Sequence, residues 1–307
     1  MPKYPTNDDS YRFLFEGADI RGETVILDNV LKDLIGTHAY GPGVQKLLGE
    51  FAAATVVISN NLKFDGRVVL QGRSDGPISL VMVECSSDGD IRGIARGELE
   101  SPEGPMKSHL PNGVLTLTIE PEVGQRYQGI IAVQRDELAD VLSDYFEQSE
   151  QLATKFWLST RAGSSAGLML QQLPKQLIED EDERLDQWQT LCALADTVTP
   201  DELIDTDTDH LLFKLFNEWN VKRFEPKRIR FSCKRLSSSR CGTPLRPLFI
   251  ASSRRRRPFY PFRGTIVTVS ALILISTFKI MLPVLGQIFH GDILRPSARL
   301  RLSLIHI

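Results

Sequence analysis

The sequence predicts an α+β fold followed by a helical segment. Short alternating apolar runs recur between Gly- and Asp-containing turns, one long 3.6-period stripe interrupts them, and no βαβ rhythm joins strands to helices. The chain then changes character. Arg235–Ile307 holds twelve of the 36 Lys/Arg and one of the 39 Asp/Glu, Asp292, so it carries +11 and leaves −14 for Met1–Lys234.

The elements follow in order. Tyr11–Glu16 and Ile20–Leu27 read as strands with a turn at Gly17. Pro42 sits where a first helical turn tolerates a missing N–H. Beyond it Val44, Leu47, Leu48, Phe51, Ala52, Thr55 and Val56 recur at three- and four-residue steps, one apolar face of a helix packed on a sheet. Five strands are expected next, at Arg67–Gln71, Ile78–Cys85, Ile91–Leu99, Val114–Glu120 and Tyr127–Val133. Ser87-Asp-Gly-Asp suits a tight hairpin, because Asp-Gly supplies the positive φ of primed turns. Asp136–Gln151 reads as a helix with Leu138, Val141, Leu142, Tyr145 and Phe146 inside and Asp140, Asp144, Glu147 and Glu150 outside. Lys155–Thr160 and Gly167–Leu173 are strands, stopped by Pro174.

From Lys175 the chain is strongly polar. Glu179–Glu183 is an acidic run, and Thr199-Pro-Asp-Glu has the cap, proline and third-position glutamate of a helix start. Leu211, Leu212, Leu215, Phe216 and Trp219 form a compact apolar face. The organisation expected is an α+β domain over residues 1–174, a helical linker over 175–230 that packs on a neighbour, and a degenerate or out-of-frame region over 231–307.

Composition excludes several classes. The hydrophobic content of 42% supports a core, and four cysteines are too few and too scattered for a secreted disulfide scaffold. The acidic Met1–Asp9 stretch lacks the apolar core of a signal peptide, so a cytoplasmic protein is expected. An acidic body disfavours nucleic acid as a partner, since phosphates need clustered Lys/Arg.

Catalytic motifs are missing from the sequence. It has no Gly-rich phosphate loop, no Gly-X-Ser-X-Gly elbow and no His-Glu-X-X-His helix. Gly72, Gly76, Gly93, Gly97 and Gly129 read as turn, bulge or close-approach positions. His38, His109 and His210 do not cluster and read as satisfied or exposed. Asp65, Asp75 and Glu84 are better explained as turn and edge carboxylates than as an acid–base pair. Cys85 and Cys192 lie on apolar stretches and are expected to be buried and inert. Cys233 follows the basic run Lys227–Ser232, where Lys and Arg favour thiolate. Cys241 lies eight residues on, and no later cysteine completes a four-ligand zinc site.

A set of ordered motifs resembles the heat-shock protein 33 family of redox-regulated chaperones. They are Arg12-Phe-Leu-Phe-Glu, Ile20-Arg-Gly-Glu, Leu62-Lys-Phe-Asp-Gly, Leu70-Gln-Gly with Asp75-Gly-Pro, Arg92-Gly-Ile-Ala-Arg-Gly, Gly124-Gln-Arg-Tyr-Gln-Gly-Ile, Asp144-Tyr-Phe-Glu-Gln-Ser-Glu-Gln-Leu and Leu170-Gln-Gln-Leu-Pro, running from about Tyr11 to Lys234. The resemblance implies a non-enzymatic, ATP-independent holdase that binds unfolding proteins under oxidative stress and can dimerise on activation. Its linker covers the client surface at rest. Its C-terminal module holds zinc through a Cys-X-Cys and a later Cys-X-X-Cys, and disulfide formation releases the metal and unfolds the module. Here Cys233 matches the first of those four cysteines, position 235 is Arg235, and no Cys-X-X-Cys follows. Cys233 and Cys241 are the remaining redox candidates, and zinc is not expected to bind Cys233 alone.

Taken literally, the tail has an apolar run, 265–289, of bilayer-spanning length behind Arg254–Arg257. The abrupt change inside a motif favours a shifted reading frame over an evolved anchor, so no selected structure is expected in 235–307. Two rival readings are a thiol oxidoreductase using Cys233, weakened by the lack of a Cys-X-X-Cys and a nearby histidine base, and a membrane-tethered interaction protein if the tail is genuine.

Overall fold

Alternating side chains and a glycine turn build the first hairpin. In a computed structural model, which describes residues 8–62 and 65–232, β1 (Asp9–Phe15) turns through Gly17, at φ +86°, into β2 (Ile20–Leu27). After the short α1 (Asn29–Ile35), Gly41 caps α2 (Pro42–Asn61) in extended backbone, with the proline in the first turn. The expected five strands are β3 (Gly66–Arg73), β4 (Ile78–Ser86), β5 (Asp90–Gly97), β6 (Val114–Pro121) and β7 (Tyr127–Ala132), with one-turn α3 (Met106–His109) between β5 and β6. Gly89, at φ +84°, makes the β4–β5 turn. Then come α4 (Leu138–Glu150) and the hairpin of β8 (Thr154–Arg161) and β9 (Ser164–Gln172). The polar segment forms α5 (Glu181–Ala195), α6 (Pro200–Asp205) and α7 (Thr208–Phe216). It ends in three short strands, β10 (Val221–Arg223), β11 (Lys227–Arg228) and β12 (Arg230–Phe231).

The first sheet has the order β10-β1-β2-β9-β8, with β11 also on β1, and the second has the order β12-β5-β4-β3-β6-β7. Every pairing is antiparallel except β12 on β5. The helical segment therefore also returns strands to both sheets, β11 and β12 falling in the run Lys227–Ser232 that reads as strand-like in the sequence.

α2 lies between the two sheets and touches strands of each. The sequence stripe implied one buried face. Instead all of α2 is buried except Pro42, Gln45 and Lys46. Small residues make this close fit. A Cβ on Gly49 would lie 2.4 Å from the Thr160 methyl, and one on Gly167 would lie 3.3 Å from Ala53. Around α2 packs one core that takes Val25, Leu27 and Met169 from the first sheet and Val68, Leu70, Val83 and Leu117 from the second.

Two side chains depart from their expected positions. Glu150, assigned to the solvent face of α4, is buried, and its Oε1 accepts from the hydroxyls of Tyr127 at 2.9 Å and Tyr145 at 3.2 Å. The helix ends there, so the chain turns inward at Gln151, at φ +54°. Gly129 on β7 leaves room for the Tyr145 ring; a Cβ there would sit 2.0 Å from its hydroxyl. His109, expected to be satisfied or exposed, is buried with Nε2 unpartnered, and burial lowers its pKa. His38 bonds Thr37 and Tyr40, and His210 is exposed.

Gly129→Ala is expected to displace Tyr145 from Glu150 and to cost ~1–3 kcal/mol, the usual penalty of overpacking, measured by urea unfolding. Glu50 on α2 is buried 3.6 Å from Lys46, and burial pushes its carboxyl up to about 7. A raised carboxyl favours the folded state at low pH, and that contribution is lost as pH climbs from the ordinary carboxylate range to about 7. Glu50→Gln should therefore match wild type near pH 4 and gain on the order of 2 kcal/mol at pH 8. Equal stability of the two proteins at both pH values would contradict this.

Candidate functional site

The first sheet buries apolar side chains on both faces. Side chains alternate along a strand, so while Val25, Leu27 and Met169 point to α2, their neighbours point the other way. Phe13 and Phe15 of β1, Ile20 and Ile26 of β2, and Ala166, Leu168 and Leu170 of β9 form a second buried cluster. β2 is buried at every position, as a strand covered on both sides should be. Phe13 stands opposite Gly22, and a Cβ at Gly22 would fall 2.0 Å from the ring, so the glycine lets the ring lie across β2.

The cover on this outer face is the helical segment. Leu191 and Ala195 of α5, Leu203 and Ile204 of α6, and Leu211, Leu212, Leu215 and Phe216 of α7 complete the cluster. Phe216 meets Phe15 edge-on at 5.0 Å between ring centroids, and Trp219 meets Phe15 at 6.0 Å. The apolar face expected at Leu211–Trp219 thus packs on β1. α6 starts with the capping box expected at Thr199, whose hydroxyl accepts from the Glu202 N–H while Glu202 accepts from the Thr199 N–H.

Polar contacts fasten the cover along its length. At its start Asp19, buried in the turn before β2, accepts from the backbone N–H groups of Gln176, Leu177 and Ile178 and from Arg184 of α5 at 2.5 Å. Arg184 also donates to the Leu173 carbonyl at 3.0 Å. Asp196 accepts from the Trp157 indole at 2.9 Å and from Lys155 at 2.7 Å. Arg161 pairs with Asp201 and Asp205. At the far end Phe15 pairs with Val221, and Arg223 lies over the Tyr11 ring at 4.8 Å.

The thiols fall into two groups. Cys85 is buried in the core of the second sheet, and burial pushes its pKa up to about 11. Cys192 is buried on α5, and burial raises it to about 12. Both are poor thiolates, as the sequence implied. Cys233 and Cys241 lie outside the described residues, as does the apolar run 265–289. With Cys85 and Cys192 held in the core, the four cysteines of the chain leave two for metal, short of the four thiolates that the family pattern uses. Among the described residues no group of three or more His, Cys, Asp or Glu could hold a metal ion, and no helix is long and apolar enough to cross a membrane. Glu84 bonds Arg92 across β4 and β5 at 2.7 Å, while Asp65 and Asp75 are exposed at turns.

Sequence reasoning found the apolar face of α7 but not the surface beneath it. Consecutive apolar residues in Val25-Ile26-Leu27 and Leu168-Met169-Leu170 are the signal of a sheet covered twice. Asp19 and Arg184 carry no such signal, because each is unremarkable until the fold brings them together.

The Hsp33 protein family model matches residues 8–248, beyond the Lys234 at which the recognisable motifs stop and so across both Cys233 and Cys241. The 33 kDa chaperonin of Pseudomonas aeruginosa (strain LESB58) is 46% identical over 229 residues, 74% of this chain and 77% of its own length. That of Pseudomonas fluorescens (strain SBW25) is 42% identical over 235 residues, 76% of this chain and 78% of its own. The crystal structure of the 33 kDa chaperonin from Thermotoga maritima superposes with a TM-score of 0.62 at 17% identity, covering 74% of this chain and 81% of that one, which speaks to the fold alone. On the family match and these identities, the chain belongs to the Hsp33 family of chaperones.

Proposed function

We propose that this protein is an ATP-independent holdase of the cytoplasm, without enzymatic activity, that binds unfolding proteins under oxidative stress through the outer face of its first sheet. One observation carries this reading: the cover on that apolar face, among the described residues, is the segment of α5, α6 and α7 with Trp219 and Val221 beyond them, and two of its three helices are short. Helices below ~12–15 residues are marginal in water on their own, and α6 and α7 have six and nine residues. They depend on the sheet for their structure. If the cover leaves, Phe13, Phe15, Ile20, Leu168 and Leu170 become a contiguous apolar patch, and Phe216 and Leu212 become available on the freed segment. Unfolded chains offer apolar side chains that such a patch buries without need of nucleotide.

Regulation is the point at which this chain departs from its family. The family resemblance places the trigger in a four-cysteine zinc module, and zinc, when bound there, supplies folding free energy to that module. With Cys233 and Cys241 as the only cysteines outside the core, the chain lacks that ligand set. We infer a holdase whose cover is governed by its own docking energy and not by metal release, and whose open form dimerises as the family resemblance implies.

The first expectation is suppression of light scattering from a heat-unfolded client at near-equimolar protein, without nucleotide and equally before and after peroxide. Unchanged scattering would end the holdase reading, and a strong peroxide requirement would restore a thiol switch. The second concerns the buried ion pair. Removing one partner of such a pair costs about 3–5 kcal/mol, and here the loss falls on docking of the cover. Arg184→Ala should raise dye binding to apolar surface and speed proteolysis within 175–230, with the core around α2 still folded by circular dichroism. Wild-type dye binding and proteolysis would show that Asp19 and Arg184 do not govern docking.

A further inference from the structure

The edge of the first sheet at β8 offers a second kind of binding surface. In the β8–β9 hairpin Arg161 stands opposite Ser164, Ser159 opposite Ala166 and Trp157 opposite Leu168. The two-residue turn at Ala162 and Gly163 makes these the pairs that exchange N–H···O=C bonds. The Gln172 N–H bond to the Ala153 carbonyl continues the same parity at 2.8 Å. The backbone groups of Phe156, Leu158 and Thr160 therefore point away from β9. Phe156 N–H uses this direction to bond Ser143 Oγ of α4 at 3.3 Å. Past that contact the N–H groups of Leu158 and Thr160 have no hydrogen-bond partner among the described residues.

A cleft of about 370 Å³ runs along this stretch. One wall is the first turn of α4, the other the connection from α5 to α6, with Leu138, Val198 and Leu203 supplying apolar surface. Exposed Glu137 and Asp140 line it, while its other two carboxyl groups are already engaged, Glu50 by Lys46 and Asp196 by Lys155. Natural strand edges are blunted by proline, bulges, inward charges or a covering helix. α4 covers the edge at Phe156, and beyond it half-buried Leu158 and Thr160 carry no proline, bulge or inward charge.

We propose that the β8 edge at Leu158 and Thr160 captures an extended apolar segment of an unfolding client by strand addition, and that the cleft carboxylates select segments bearing Lys or Arg. The proposal rests on the holdase reading and deepens it. Free N–H and C=O groups set the strand geometry, and the excess of carboxylates sets the charge preference. A second copy of this chain would bring the same carboxylates to its partner, which disfavours self-pairing. The cleft exists while the helical cover is docked, since the cover forms one wall, so this edge acts before the outer face is uncovered.

The test uses the full chain and fluorescent peptides of about ten residues, long enough to span the strand. An alternating Val/Thr peptide flanked by lysines should bind and should slow hydrogen exchange at the Leu158 and Thr160 amides. N-methylation of alternate peptide amides, or glutamate flanks, should weaken binding about tenfold. Leu158→Pro removes an outward N–H without touching the β9 ladder and should weaken binding to a similar degree. The exposed pair Glu137→Lys with Asp140→Lys should invert the preference between lysine and glutamate flanks, which keeps the test sound should the proline variant misfold. Tolerance of N-methylation, or binding that leaves both amides unprotected, overturns the proposal. So does protection that arises from dimers of the chain itself. Client scattering suppressed with the β8 amides unprotected removes the edge and leaves the holdase reading; unsuppressed scattering removes both.

Discussion

Phe13, Phe15, Ile20 and Leu168 point to the opposite side of the first sheet from Val25, Leu27 and Met169, so this sheet has to be shielded from water in two directions. The rest of the architecture answers that demand. Inside, a twenty-residue helix is enclosed between two sheets and shares one core with both. Outside, a series of short helices is laid over β1, β2 and β9. The two covers bury similar kinds of side chain but differ in how they are held.

α2 cannot leave without dismantling both sheets. The outer helices can, because they touch one sheet and make few contacts with each other beyond the α5–α7 packing. Their fastenings are local: a carboxylate in a turn, an indole on an edge strand, a guanidinium on β8. A protein opens in units set by such local stability differences. The outer cover is the natural first unit to open, with the body intact beneath it.

Much of this was legible in the sequence because it rests on local rules. Alternation and turn glycines mark β1 to β9, and the capping box at Thr199 marks α6. The ordered motifs point to the family. What local rules miss is the consequence of long-range assembly. The stripe on α2 shows one face, yet the helix is buried all round, because the second sheet is placed by contacts that no helical periodicity encodes. Glu150 looks solvated in its helical wheel and is instead the acceptor of two tyrosine hydroxyls at the helix end. Asp19 and Arg184 lie 165 residues apart, and neither has a neighbour in sequence that forecasts the other. Lys227–Ser232 reads as strand-like and holds β11 and β12, whereas β10 is three residues long, too short for any periodic signal.

Those last strands have a kinetic consequence. The helical segment is attached at its start through Asp19 and at its end through β10 and β11 on β1 and β12 on β5. When its middle lifts off, it becomes a loop with both ends anchored on the body. Return is then an intramolecular encounter at an effective concentration of roughly millimolar. A ten-residue loop closes in ~10–100 ns, and the entropic cost of closure grows only slowly as a loop lengthens. The bare face is therefore refilled almost at once unless something else occupies it, and the residence time of a bound client, not diffusion of the protein's own chain, sets how long the surface stays open.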